Sequence, residues 1–225
     1  MIIFYKITSI KMNITKDLNK KIISIQSLYR GNYVRRQLSS LNDNMNYNLI
    51  VKEINNYNNC VLHINEINKI LSKKKIRHNN FPSHISENIA KFAIFNKYKI
   101  MPCWDTDKGD IVINKLSLFK QIEIKGFMSD GPSSFGPSEK WDLLYFVDAR
   151  DTLNFNFKVY EIKLSNKNEI FRNIKINKNE TYGEIADNNQ RGKLRGCFET
   201  VFKYQLGDKC KLIFNGHISN LNNIN

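Results

Sequence analysis

The chain has 225 residues, 35 Lys and Arg against 21 Asp and Glu, a formal charge of +14, and 41% apolar with 12% aromatic residues, which is enough for one full core. That content excludes wholesale disorder, and four cysteines without a close C-x-x-C pair (Cys60, Cys103, Cys197 and Cys210) exclude a disulfide-stapled mini-protein; reduced, mostly buried thiols are expected. Lys, Arg, Asn or Asp interrupts every apolar run before the roughly 18–20 residues of a membrane span, and the opening MIIFYKITSIKM, broken by Lys6 and Lys11, matches a secretory signal poorly, so an intracellular, cytoplasmic protein with no membrane partner is expected.

Frequent Asn, scarce Ala and Gly, and Lys in excess over Arg are what A/T-rich coding DNA produces, so basicity alone carries little information. Its distribution carries more. Residues 1–81 hold 14 Lys and Arg against 4 Asp and Glu, whereas residues 82–225 hold 21 against 17. A basic segment beside a balanced domain suits a polyanion such as DNA or RNA, with an anionic membrane surface or an acidic protein as rivals.

Residues 13–41 read as a basic helix, with Ile22, Ile25, Leu28, Tyr29 and Leu38 at spacings of three and four. Within it, Ile25-Gln26-Ser27-Leu28-Tyr29-Arg30-Gly31-Asn32-Tyr33-Val34-Arg35 resembles the IQ motif through which helices bind calmodulin-like proteins, which implies such a partner for Ile25, Gln26, Arg30, Gly31 and Arg35. A basic helix that packs on the following domain or contacts DNA accounts for the same residues. The Asn-rich residues 42–59 read as a loop or linker, and a second helix is expected over about 64–75, ending in Lys73-Lys74-Lys75. Composition changes at Phe81-Pro82, giving three expected parts: a basic helical region over 1–80, a domain over 81–218 and a tail over 219–225.

The domain opens with a helix, SHISENIAKFAIFNKY, with Ser83 as candidate N-cap and Ile85, Ile89, Phe92 and Phe95 on one face. Strands are expected at 110–114, 119–127, 142–147 and 157–164, a helix within 196–204 and a last strand over 210–218. This order gives a mixed α/β fold with one central sheet flanked by helices.

The chemistry lies in Asp105-Thr106-Asp107-Lys108-Gly109-Asp110 and the strand Gln121-Ile122-Glu123-Ile124-Lys125-Gly126. Alternation puts Glu123 and Lys125 on one face and turns Ile122 and Ile124 to the core. A hairpin turning near Leu116-Ser117 places Asp110 opposite Glu123. Two facing carboxylates suit a hard divalent cation, and Lys125 would then orient or deprotonate an attacking water or neutralise charge on a phosphate. Glu161-Ile162-Lys163, with Asp142 upstream, is a second E-x-K. The first is preferred because Gly109-Asp110 leads into an apolar strand and Gly126 follows Lys125.

This Asp…Glu-x-Lys arrangement resembles the PD-(D/E)xK nucleases. The longer string EIKGFMSDGPSSFGPSEKWDLLYFVDA at 123–149, continued by FKVYEIKLSN at 157–166, resembles type II restriction endonucleases of the Bsp6I-like family over residues 95–217. The resemblance implies a restriction-endonuclease-like core and Mg²⁺-dependent cleavage of double-stranded DNA at a short G/C-containing site of the GCNGC kind. It implies metal at Asp110 and Glu123, catalytic assistance from Lys125, and a further acid on the preceding helix, Glu87. The sequence departs from the family pattern in having no Pro before Asp110, and Asp105 or Asp107 would replace Asp110 in a different register. Short side chains and glycines in the loop, with Ser129, Asp130, Ser133 and Ser134, permit close approach to phosphates or base edges. Lys140, Arg191, Lys193 and Arg195 are candidate groove contacts, Arg being suited to guanine. A homodimer would present identical sites to the two strands of a palindromic site.

A non-catalytic DNA-binding protein with a nuclease fold and a calmodulin-binding protein are the rival readings. His63, His78, His84 and His217 lie in no zinc-nuclease pattern, and neither a nucleotide-binding P-loop nor a G-x-S-x-G elbow is present.

Overall fold

The computed structural model describes residues 46–71, 75–104, 110–115, 118–129, 134–136, 138–176, 178–190, 192–193 and 198–222. All belong to the unit spanning Asp43–Asn225. Residues 1–45, with the expected basic helix and its IQ-like motif, lie outside the described residues, as do the Lys73-Lys74 pair and the acids Asp105 and Asp107.

The first element, helix α1 (Tyr47–Ile70), corrects the expected loop at 42–59; the helix expected over 64–75 is its C-terminal half, ending at Ile70. The seven Asn within it each cost at most about 0.7 kcal/mol of helix propensity. Against this, Ile50, Ile54, Tyr57, Val61 and Ile64 recur every three or four residues and are buried, at about 1.5–3 kcal/mol for each large side chain. Burial of the stripe outweighs composition. The Asn46 side chain caps the helix by accepting the Leu49 N–H at 3.0 Å. Buried Asn58 donates to the Thr152 carbonyl at 2.7 Å and accepts the Thr152 hydroxyl at 3.1 Å, fastening α1 to a turn 94 residues away in the chain.

Helix α2 (Ser83–Tyr98) follows with the expected extent, but its N-cap is Pro82, and Ser83, the expected cap, is its first residue. From His84 to Ile94 every residue is buried, so α2 is embedded on all sides and does not lie on the surface.

The main sheet contains β1 (Cys103–Trp104), β2 (Ile111–Lys115), β3 (Leu118–Phe127), β5 (Leu143–Asp148), β6 (Asn156–Ile162) and β8 (Cys210–His217), hydrogen-bonded in that order. The β3–β5 pair is parallel and the rest are antiparallel, making the mixed α/β core that the sequence implied. A two-stranded ladder joins β4 (Ser134–Phe135) to β7 (Gly192–Lys193).

Strand parity divides the core between the two faces of the sheet. Ile122, Ile124, Leu143, Tyr145, Val147 and Val159 pack with α1 and α2. Leu144, Phe146, Phe127, Tyr160 and Ile162 pack beneath an aromatic layer that includes Phe135, Trp141, Phe171, Tyr182, Phe198 and Phe202. Short helices α3 (Glu169–Arg172) and α4 (Tyr182–Asp187) build that layer and were not expected from sequence. The α4 signal was present, since Thr181 and Glu184 form a complete capping box. The helix expected within 196–204 is a π-helical segment, Phe198–Lys203, running into α5 (Tyr204–Leu206). Its Glu199 accepts from the Tyr160 hydroxyl at 3.0 Å and Lys203 at 3.0 Å, and lies 3.3 Å from Arg150, itself forked onto Asp148. No helix among the described residues is long and apolar enough to cross a membrane.

Gly126, directly after Lys125, lets β3 approach α2: a Cβ there would stand 2.8 Å from Ser86 Cβ and 2.9 Å from Ser86 Oγ. Gly126→Ala is expected to destabilise the protein by about 1–3 kcal/mol in urea unfolding. The loss should be smaller in a Ser86→Gly background; equal losses in both backgrounds would show that this contact is not the constraint.

Candidate active site

The β2–β3 hairpin brings the two leading acids together. Ile111 pairs with Ile122, so Asp110, one residue before β2, stands opposite Glu123. Asp110 continues the ladder by donating its N–H to the Ile122 carbonyl at 3.2 Å, and its Oδ2 accepts the Ile124 N–H at 2.7 Å. The half-buried Asp110 is thereby tied to backbone on both sides of Glu123.

Glu123 and Lys125 project from the aromatic face of β3, where their partners on β5 are Leu144 and Phe146. Glu123 is only 7% exposed. Lys125 Nζ donates to Glu123 Oε1 at 2.5 Å, lies 3.2 Å from Glu139 Oε2, and stands 5.5 Å from the centre of the Phe135 ring. Glu139 is the residue that sequence reasoning missed. It lies in a connection with no period or motif spacing, and in the string SEKW its neighbour Lys140 carries the charge that suits DNA. The only available signal was an acid beside the SFGP turn, and a turn alone does not say where its acid points.

Burial, followed by the charge of Asp110, pushes the Glu123 carboxyl up to about 7; Lys125 opposes this, and Glu139 adds to it. Burial pulls the Lys125 ammonium down, but the Glu123 and Glu139 carboxylates, the hydrogen bond to Glu123 and the charge of Asp110 outweigh it, so its pKa is raised. Lys125 is therefore a firm positive charge and a poor proton acceptor. A carboxyl whose affinity for protons is raised by neighbouring acids will also welcome a divalent cation, and Asp110 and Glu123 offer it only oxygen. A Mg²⁺-like ion fits such a site, because it is commonly held by one or two carboxylates plus water and phosphate. Among the described residues no three His, Cys, Asp or Glu side chains gather as a metal centre. Glu87, which the resemblance offered as a further metal-site acid on the preceding helix, is 1% exposed within α2 and forms no such trio among the described residues.

The second E-x-K has a different environment. Glu161 sits opposite Tyr145 on the helix-covered face and is 2% exposed. Its Oε1 accepts the Tyr145 hydroxyl and its Oε2 the Tyr98 hydroxyl, both at 2.6 Å. Burial and Glu161 hold both phenols protonated, well above the usual tyrosine range. Lys163 lies 3.5 Å away with its side chain largely in solvent. Asp142 is spent on the Gln121 N–H at 3.0 Å.

Of the candidate DNA contacts, Ser134 pairs across the small ladder with Lys193, so the SFGP loop and the RGK segment meet. Ser129 and Lys140 are exposed. Asp130, Ser133, Arg191 and Arg195 lie outside the described residues, as do Ile25, Gln26, Arg30, Gly31 and Arg35.

One family profile, described as Bsp6I restriction endonuclease, matches residues 49–198, a span that contains Asp110, Glu123, Lys125 and Glu139. No curated protein matches the chain. No solved structure matches it.

In the metal-free protein the native state binds the Glu123 proton more tightly than the unfolded chain, whose carboxyl titrates near 4.5. Its contribution to stability is thus fully present below that pH and is lost as pH rises through about 7. Glu123→Gln should remove this slope, so that in EDTA its unfolding free energy gains on the wild type across the window; a constant difference would contradict the shift. Glu161→Ala leaves the buried Tyr145 hydroxyl and the partly buried Tyr98 hydroxyl without this acceptor and is expected to cost on the order of 3 kcal/mol in urea unfolding. A cost under about 0.5 kcal/mol, the level of an ordinary surface substitution, would refute its structural role.

Proposed function

The chain belongs to the Bsp6I restriction endonuclease family and is a type II restriction endonuclease, and from that premise we propose Mg²⁺-dependent cleavage of both strands of duplex DNA at a short G/C-containing site of the GCNGC kind, with Asp110, Glu123 and Lys125 as its active site. The observation that carries this assignment is the hairpin register opposing Asp110 to Glu123 while Lys125 reaches Glu123 from the same strand. Asp110 and Glu123 would hold the ion. When bound, Mg²⁺ supplies Lewis acidity at the scissile phosphate and makes water a stronger acid.

The chain's own groups do the rest. Lys125, kept charged by its acidic neighbours, offers an ammonium to the charge that develops on the phosphate; its raised pKa favours this over acting as the base. Leu144, Phe146 and Phe135 form an apolar floor on which these charges interact more strongly than in water. The β4–β7 ladder supports a recognition role for the two segments it joins, with Ser134 and Lys193 in register and Arg191 and Arg195 nearby in sequence. The nuclease unit in this reading begins with α1, which shares the core of the sheet, and not at residue 81. The basic residues 1–45 would add nonspecific attraction for phosphates, a role that the IQ-like segment fills without a calmodulin-like partner. Two copies related by a twofold axis would address the two strands, inside the cell where the DNA is.

Unmethylated plasmid incubated with the protein and Mg²⁺ should give discrete fragments that EDTA abolishes. Lys125→Ala should slow cleavage by about 10²–10³-fold, and Glu123→Ala should abolish detectable cutting. Undiminished cutting by the Glu123→Ala protein would exclude this site. Intact plasmid in every lane would leave a DNA-binding protein that does not cut.

A further inference from the structure

Lys125 has two carboxylate anchors, and they are not equivalent. Glu123 is also the acid that a divalent cation would take, so the ammonium and the cation compete for the same oxygens and repel each other. Glu139 is free of that competition. Its Oε2 lies 3.2 Å from Lys125 Nζ, and that ammonium is its ion-pair partner among the described residues.

Glu139 is also held from its backbone. Its N–H donates to the Gly136 carbonyl at 3.2 Å, and its own carbonyl accepts the Asn166 side-chain amide at 2.8 Å. The turn leaves room for the carboxylate because residue 136 is glycine: a Cβ there would stand 3.1 Å from Glu139 Oε1. Phe135, from the same turn, lies under the Lys125 ammonium and is itself wedged against Trp141, Phe171 and Tyr182. One short segment thus supplies an aromatic floor and an acidic wall for a single lysine, an arrangement suited to a cation that must stay in place when its other partner is taken.

We propose that Glu139 is a positioning residue that fixes the Lys125 ammonium at the scissile phosphate, and that the Phe135–Glu139 turn serves as the clamp on this lysine. The proposal rests on the active-site reading given above. Removing the clamp should slow the chemical step and leave DNA binding alone.

The test uses the full chain as Glu139→Ala, Glu139→Gln and Glu123→Ala, with three readouts: single-turnover plasmid cleavage in Mg²⁺, DNA affinity in Ca²⁺, and labelling of Lys125 by acetic anhydride in EDTA, mapped by mass spectrometry. Glu139→Ala should lose about 10–100-fold in single-turnover rate, the usual effect of removing a partner that orients an active-site group. Its DNA affinity should stay unchanged, and labelling of Lys125 should increase severalfold. Glu139→Gln, which keeps an oxygen for the ammonium, should recover most of the rate and return labelling toward wild type. Wild-type rate and labelling in Glu139→Ala would overturn the clamp. So would a loss that appears equally in DNA affinity, or that Gln fails to rescue, because either would mark the turn as a structural or DNA-binding element. Cutting by Glu123→Ala would instead overturn the active-site reading, while the labelling of Lys125 would still report whether Glu139 holds it.

Discussion

Burying Lys125 beside Glu123 and Glu139 takes three charges largely out of water, at several kcal/mol each before their attraction returns any of it. Such a cluster persists only where its surroundings leave it no freedom to separate. β3 meets that condition: it is paired on both sides, by β2 and β5, and its opposite face is sealed by the α1 and α2 core. The close contact of Gly126 with Ser86 removes the last slack between strand and helix. The aromatic layer, the two-residue strand β4 and the Glu139 turn then close over the charges from the other side. Stability is given up at the centre and recovered in the two apolar layers that flank it, as expected of a site organised to bind something absent from the folded chain.

Glu123 and Glu161 begin identical Glu-Ile-Lys tripeptides on neighbouring parts of one sheet. Parity separates them. Glu123 shares its face with Asp110 and Glu139, and Glu161 shares its face with Tyr145 and lies within reach of Tyr98 at the end of α2. An acid surrounded by acids retains an appetite for cations, whereas an acid between two phenols has every oxygen engaged. The tripeptide therefore does not fix its own chemistry; that comes from what faces it across the strands.

Much of this was legible in the chain. The five longer strands fell within a residue or two of expectation because their apolar and β-branched runs are bounded by polar turns, whereas the two-residue strands β1, β4 and β7 are too short to leave a pattern; the opposition of Asp110 to Glu123 followed from counting along a hairpin. What failed were features decided by tertiary contacts. The Asn-rich α1 hid behind its composition although Ile50, Ile54, Tyr57 and Val61 already had helical spacing. The burial of Glu87 could not be foreseen, because α2 has apolar or small residues on more than one face and its depth depends on packing from α1. Glu139 was out of reach because a turn must be folded before its acid has a direction.

The β4–β7 ladder joins two stretches far apart in sequence, Ser134 against Lys193 and Phe135 against Gly192. A change of length in either stretch breaks a pairing that the other supplies, and Phe135 carries the disturbance straight to Lys125. The two stretches can therefore diverge only in concert. An insertion in one of them is accommodated only with a matching change in the other, so the small ladder ties the lengths of two distant connections together.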